Sequence, residues 1–347
     1  MSSEDVKAQS PVKIAVLGAG SWGGTLAWLL ASHGRRVTLW DHEPAKVSLL
    51  KRRRRLNHPL RIELPVLIEI IADLAEAVDG ADIVLLCCTS QSMRQLVTRV
   101  VPLAPSRDKP GSSWKLPVLV SAAKGLELTT LYRMSQVITE IAPHLPVCAL
   151  SGPNLAGEIL KGLPTASVIG SDMGPVAAFV QEELSVPTVR MYTNPDLVGV
   201  ELGGTLKNII AVAAGVSDGL ELGANAKAAL LTRGLAEMIR LSSALGAQKT
   251  TLAGLSGMGD LFATCTSPLS RNYKLGRSMA GGLSCEEAKK VVGGTAEGIP
   301  TAEAVCELSR KLGIDMPIAE QVESALKGKT TPKRAIMSLM MRPLASE

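Results

Sequence analysis

Residues 12–23 read VKIAVLGAGSWG: a β-branched run, Val12-Lys13-Ile14-Ala15-Val16-Leu17, passes straight into Gly18-Ala19-Gly20-Ser21-Trp22-Gly23. Residues 25–32 (TLAWLLAS) then have a helical pattern closed by Gly34. The order is strand, glycine turn, helix. On its own the spacing Gly18-x-Gly20-x-x-Gly23 is a weak signal. Here a second strand pattern follows at 36–40 (RVTLW) and ends at Asp41. That context turns the glycines into a dinucleotide site. They allow a tight turn, close approach of backbone to a pyrophosphate, and tight packing of helix on strand, while the acid accepts a ribose 2′-hydroxyl. Asp41 favours NAD, yet His42 beside it can support a 2′-phosphate, so NAD and NADP both stay open.

Working outward, apolar runs at 83–88 (IVLLCC), 118–123 (VLVSAA) and 147–150 (VCAL) alternate with helical patterns at 93–101 and 129–141. Strands alternating with helices imply right-handed crossovers and a parallel, doubly wound sheet. Runs at 165–169 and 188–192 extend it, and from Asn194 onward strand patterns stop. Asn194-Pro195-Asp196 starts a helix, with a capping side chain, a proline for the first turn and an acid against the dipole. Helices are expected at 224–245, closed by Gly246, and at 301–312, closed by Gly313. The expected fold is α/β: an N-terminal Rossmann-type doubly wound parallel sheet, residues 1–193, binds the dinucleotide. An all-α C-terminal domain, residues 194–347, holds substrate and catalyst. A chain of 347 residues suits two domains.

Composition agrees. With 46% hydrophobic, 20% charged and only 3% aromatic residues, the chain can bury a large core of Ala, Gly, Val and Leu, as packed helices and parallel strands require. No apolar run approaches the roughly 18 residues that span a bilayer, and residues 1–10 (MSSEDVKAQS) are too polar for a signal peptide. A cytoplasmic protein without a membrane span is expected. Cys87, Cys88, Cys148, Cys265, Cys285 and Cys306 form no C-x-x-C pair, so neither disulfides nor a metal site is expected. The net charge of +5 suits an anionic ligand without requiring one. The run Lys51-Arg52-Arg53-Arg54-Arg55 reads as the solvated, cationic end of a helix begun near Pro44 rather than a nucleic-acid patch.

Four further groups carry chemistry. Lys124, in Ala122-Ala123-Lys124-Gly125, follows a strand at the sheet's carboxyl edge, where ligands bind. Ser151-Gly152-Pro153-Asn154 puts a turn and a helix start at the same edge, offering backbone N–H groups to an anion. Gly203 lies one helical turn before Lys207, so both share a face, and a glycine there signals close approach of a ligand or another backbone. Taken alone, Lys207 is equally a lysine reaching for solvent. Asp260, after Gly257-Met258-Gly259, and Ser270-Arg271-Asn272 complete the set. Arg and Asn suit a phosphate oxyanion, although a surface turn with a solvated Arg reads the same.

Together these segments resemble the bacterial-type NAD(P)-dependent glycerol-3-phosphate dehydrogenases, from about residue 13 to about residue 317. The pieces are Gly18 to Gly23, Ala123-Lys124-Gly125, Ser151-Gly152-Pro153-Asn154, ELGGTLKN at 201–208, Gly259-Asp260-Leu261, Ser270-Arg271-Asn272 and Ala296-Glu297-Gly298. The resemblance implies reversible hydride transfer between NAD(P)H and dihydroxyacetone phosphate, giving glycerol 3-phosphate for phospholipid synthesis in a homodimer. It implies that Lys207 is the proton acceptor in oxidation and that Lys124 lies where cofactor meets substrate. Ser21, Trp22, His42, Ala156, Arg271, Thr295 and Glu297 match cofactor-contacting positions; Gly152, Asn154, Asp260, Ser270 and Asn272 match substrate-contacting ones. Two stretches depart from the family pattern: 57–65 (NHPLRIELP) lacks the usual Tyr-Leu-Pro-Gly, and Thr89 stands where proline is common. A hydroxy-acid reductase of the same architecture would not need Ser270-Arg271-Asn272. A catalytically silent dinucleotide sensor would not need Lys207, Lys124 or Asp260.

Overall fold

The structure is a computed structural model that describes residues 12–103 and 116–343; the polar segment at 1–10 lies outside them. Among the described residues there are ten strands: β1 Lys13–Leu17, β2 Arg36–Trp40, β3 Arg55–Leu56, β4 Ile62–Glu63, β5 Ile68–Ile71, β6 Ile83–Leu86, β7 Val118–Ser121, β8 Val147–Ser151, β9 Thr165–Gly170 and β10 Val189–Asn194. Eight form one sheet in the order β5-β2-β1-β6-β7-β8-β9-β10, while β3 and β4 pair as a small antiparallel ribbon.

From β5 to β8 every pairing is parallel, with the crossovers that alternating strands and helices demand. The expectation of a wholly parallel sheet fails at one place. β9 runs antiparallel to β8, and β10 runs parallel to β9, so the last two strands point the other way. The link from β8 to β9 contains only the four-residue helix Ala156–Ile159, which is too short to carry the chain back for a parallel crossover. β5 was not expected. Its IEII is a brief run beyond Pro65, and its pairing with β2 is what reveals it.

Apolar side chains fill both faces of the sheet. Ile14, Val16, Leu39 and Val120 pack on one side and Ala15, Leu17, Leu86 and Leu119 on the other, as a sheet buried on both faces requires. After β10 all described regular structure is helical. The second core surrounds the helix Leu197–Gly219, buried over most of its length. By length and composition that helix could cross a bilayer, contrary to the expectation from apolar runs, but 83% of its most apolar window is buried within the molecule. Asp196 caps its first turn, accepting from the Gly199 N–H at 2.8 Å, so the acid serves as the cap and Pro195 precedes the helix.

Other boundaries move by small amounts. The pattern at 129–141 yields a helix only over Met134–Ile141, because Leu131 is left-handed and Leu126 bridges Arg133. The first helix, Ser21–Ser32, begins inside the glycine motif itself. The basic run closes the helix Pro44–Arg53 with Lys51, Arg52 and Arg53 exposed. Arg54 is different: left-handed, it turns its guanidinium onto the carbonyls of Pro65 and Ile68.

Candidate active site

The carboxyl ends of β1, β6, β7 and β8 meet at one edge. A Cβ on Gly18 would lie 2.7 Å from the Cys87 carbonyl oxygen, and one on Gly23 would collide with the Gly18 carbonyl oxygen. These two glycines let the turn after β1 nest against the end of β6 and let the first helix sit on the turn. Gly20 faces open space, with nothing within 4 Å of its Cβ position. It caps the helix without a side-chain bond, so the first-turn N–H groups point at that space. A gap beside free donors at a helix start suits a diphosphate. Ser21 Oγ lies 2.9 Å from His58 Nδ1 at the rim.

Asp41 is 4% exposed at the end of β2. Its carboxylate accepts from the Ala19 N–H at 2.8 Å and from Lys46 Nζ at 2.7 Å, with His42 Nδ1 3.2 Å away.

Across the edge, Lys124 Nζ donates to Gly152 O at 2.9 Å and to Asp260 Oδ2 at 2.6 Å. The other oxygen of Asp260 accepts from Lys207 Nζ, which also donates to Thr264 Oγ1 at 2.7 Å. One buried carboxylate thus bridges two ammonium groups, one from each half of the chain. Asp260 opens the helix Asp260–Thr266, reached through the single π-helical turn Leu255–Gly259. That turn lies against Gly203, whose Cβ position is 2.5 Å from Ser256 O, so another backbone makes the close approach there.

Lys207 is 7% exposed. Burial lowers its pKa to about 8; Asp260 opposes the shift and the second cation, Lys124, adds to it. Asn208, the next residue, donates to Lys124 O at 3.3 Å and accepts from Asn272 Nδ2 at 2.9 Å, and Asn272 Oδ1 accepts from the Gly298 N–H at 3.0 Å. Beside Gly298, Glu297 accepts from the N–H and hydroxyl of Ser90, at 3.0 and 2.7 Å. A ring of polar contacts therefore ties the helical half to β6 and β7.

Inside this ring is a cavity of about 410 Å³. Its walls include Gly20, Ser21, Trp22, Lys124, Asn154, Ala156, Lys207, Ser270, Arg271, Asn272, Thr295 and Glu297. Of the other expected residues, Asp260 and Gly152 sit behind the lysines, Gly18 and Gly23 inside the turn, and Asp41 and His42 outside the cavity lining, beside the turn at Ala19. Asn154 and Arg271, both on the cavity wall, each leave a polar group with no hydrogen-bond partner among the described residues. Asn154 Nδ2 is buried and unpaired, its Oδ1 being held by the Ser167 hydroxyl. The Arg271 guanidinium is half-buried, its pKa lowered by burial against the pull of Glu297. Such groups are costly unless a ligand completes them.

Two local expectations change. The helix after Gly152 starts at Ala156 rather than in the Ser151–Asn154 turn. The Ser270 hydroxyl caps its own helix, Arg271–Ala280, accepting from the Tyr273 N–H at 3.2 Å. Sequence reading passed over Asn208, Thr264, His58 and Ser90. Thr264 was within reach, one helical turn after Asp260. Ser90 carried no signal, since its partner Glu297 is 207 residues away.

The profile of the NAD-dependent glycerol-3-phosphate dehydrogenase N-terminus matches residues 13–176, and that of the C-terminus matches 196–337. The chain belongs to that family. Relatives named glycerol-3-phosphate dehydrogenase [NAD(P)+] include one from Geobacter sulfurreducens, 46% identical over 340 residues, 96% of this chain and 98% of that protein. One from Nostoc sp. is 43% identical over 334 residues with the same coverage. Among solved structures, a glycerol-3-phosphate dehydrogenase from Coxiella burnetii aligns over 96% of this chain and 99% of that one, at TM-score 0.87 and 35% identity. A ketopantoate reductase from Ralstonia eutropha, TM-score 0.59 at 16% identity, shares the fold alone.

Proposed function

We propose that the chain interconverts glycerol 3-phosphate and dihydroxyacetone phosphate with NAD or NADP, and that Lys207 is the general base in oxidation and the general acid in reduction. The observation that carries this reading is the buried Asp260 shared between Lys207 and Lys124 on the cavity wall. A lysine whose pKa is lowered to about 8 holds or releases a proton near neutral pH, as general acid-base catalysis requires.

The glycine turn from Gly18 to Gly23, with Ser21, Trp22 and Ala156, would hold the dinucleotide across the open space at Gly20, and Thr295 and Glu297 would hold it from the opposite wall. When bound, the nicotinamide supplies or accepts the hydride. The chain's own residues do the rest. Lys207 exchanges a proton with the oxygen on the substrate's second carbon, and Lys124 stabilises charge on that oxygen. Asn154 donates its unpaired amide to the substrate, and Arg271, with Ser270 and Asn272, receives the phosphate. Asp260 keeps both ammonium groups aimed at one point, which lowers the entropy cost of reaching the reactive geometry.

On the family resemblance we further propose a cytoplasmic homodimer that feeds phospholipid synthesis. We divide the domains at 193/194, one residue before the last strand ends at Asn194.

Nicotinamide absorbance with dihydroxyacetone phosphate, run with NADH and with NADPH and compared with a 2-oxo acid, tests the reading. Turnover with the phosphate alone is expected. Turnover with the oxo acid and none with the phosphate would overturn it.

A further inference from the structure

An acid at the end of the second strand ordinarily reads the ribose 2′-hydroxyl and repels a 2′-phosphate. In this chain that acid carries a counter-ion. Lys46 lies in the first turn of the helix Pro44–Arg53 and places its ammonium 2.7 Å from Asp41 Oδ2, the same oxygen that accepts the Ala19 N–H of the glycine turn. The burial of the two partners is unequal. The Asp41 side chain is 3% exposed and that of Lys46 is 34% exposed, so the cation is the member of the pair that solvent reaches.

His42 Nδ1 lies 3.2 Å from the other oxygen of Asp41, which also accepts the Glu43 N–H at 3.2 Å. The Glu43 carboxylate, 61% exposed, stands 3.8 Å from the far side of the His42 ring, where solvent screens it. Beside the turn, the partly exposed ammonium held against Asp41 is therefore that of Lys46.

We propose that Lys46 is the residue through which this site accepts the 2′-phosphate of NADP(H) as well as the 2′-hydroxyl of NAD(H). Paired with Asp41, it cancels the repulsion that the carboxylate alone would exert. When a 2′-phosphate arrives, the ammonium turns to it, while Asp41 keeps its bond to the Ala19 N–H and the turn keeps its shape. With NAD(H) the ammonium stays on Asp41. The inference rests on the dinucleotide site proposed above.

The test is calorimetric titration of the whole chain with NADH, NADPH, adenosine 2′,5′-bisphosphate and AMP, for the wild type, Lys46→Met and Lys46→Arg. Loss of a charge-assisted contact to a phosphate should weaken NADPH and the bisphosphate in Lys46→Met by about tenfold or more. NADH and AMP should change by less than about threefold, the size of a surface charge effect. Lys46→Arg should keep NADPH binding, and NADH binding serves as the check on folding. Equal losses for NADPH and NADH, or an unchanged NADPH affinity in Lys46→Met, would overturn the assignment to Lys46. A wild type that binds neither dinucleotide would overturn the cofactor reading along with it.

Discussion

Lys207 shows how much one side chain depends on its surroundings. A lysine on a helix usually runs its stem along the surface and leaves its charge in water. Here burial lowers its pKa to about 8, and Asp260 and Thr264 hold the ammonium in place. Lys207→Met, which keeps the apolar stem and cannot carry a proton, should lower turnover by about 10²–10⁴-fold, the usual contribution of general acid-base catalysis. The pH profile tests the sign. Oxidation needs the neutral amine, so its rate should rise as pH passes about 8, and reduction should fall over the same interval. Stopped-flow rates across pH 6–10 check both limbs, and a variant that kept the limb near about 8 would move the role elsewhere. At this scale the sequence was legible where a residue stood at a sheet edge or in a family motif, as Lys124 and Lys207 do. It was silent on direction. Nothing in residues 41–46 says that Asp41 turns inward to the Ala19 N–H with Lys46 behind it.

Elements were legible in proportion to their regularity. β2 falls where its alternating residues put it, and Gly246 and Gly313 end their helices as left-handed glycines. The π-helical turn Leu255–Gly259 could not be foreseen, since it depends on the backbone it leans on at Gly203. One element contact carries a stability prediction. Glu237, 2% exposed on the helix Gly223–Ala244, accepts from the N–H groups of Ile318 and Ala319 at the start of the helix Pro317–Leu326. Burial raises its pKa from 4.5 to about 7; the two N–H groups and Arg240 oppose the shift and Asp315 adds to it. A carboxyl whose folded pKa is raised binds more protons folded than unfolded, so stability falls as pH rises from 4.5 to about 7. Above that interval the cost of the buried charge is fully present. Glu237→Gln should flatten the dependence of Tm on pH in that window, and a profile that kept its slope would show another group titrating there.

For the whole molecule, the sequence showed the two halves and the sheet edge that borders the cavity. The reversal of β9 and β10 was hidden, because apolar alternation does not encode strand direction. That reversal sets a dimension. The chain leaves the sheet at Asn194, at the end opposite the ligand edge, and the helix Leu197–Gly219 climbs back beside β8. Val200 is level with Gly170, the partner of Ala149, and Gly204 with Ser151. Four helical residues rise about 6 Å and two strand residues about 6.6 Å, so helix and strand keep step up to the point where Lys207 meets the cavity. The segment from Asn194 to Lys207 therefore works as a ruler whose length and phase are both fixed. One alanine inserted after Val200 would turn Lys207 by about 100° and lift it by about 1.5 Å. Turnover should vanish while NADH, proposed to be held chiefly by the turn at Gly18 to Gly23, still binds in a fluorescence titration. Loops can be trimmed or lengthened at little cost, but along this stretch a single added residue moves the proposed general base off its mark.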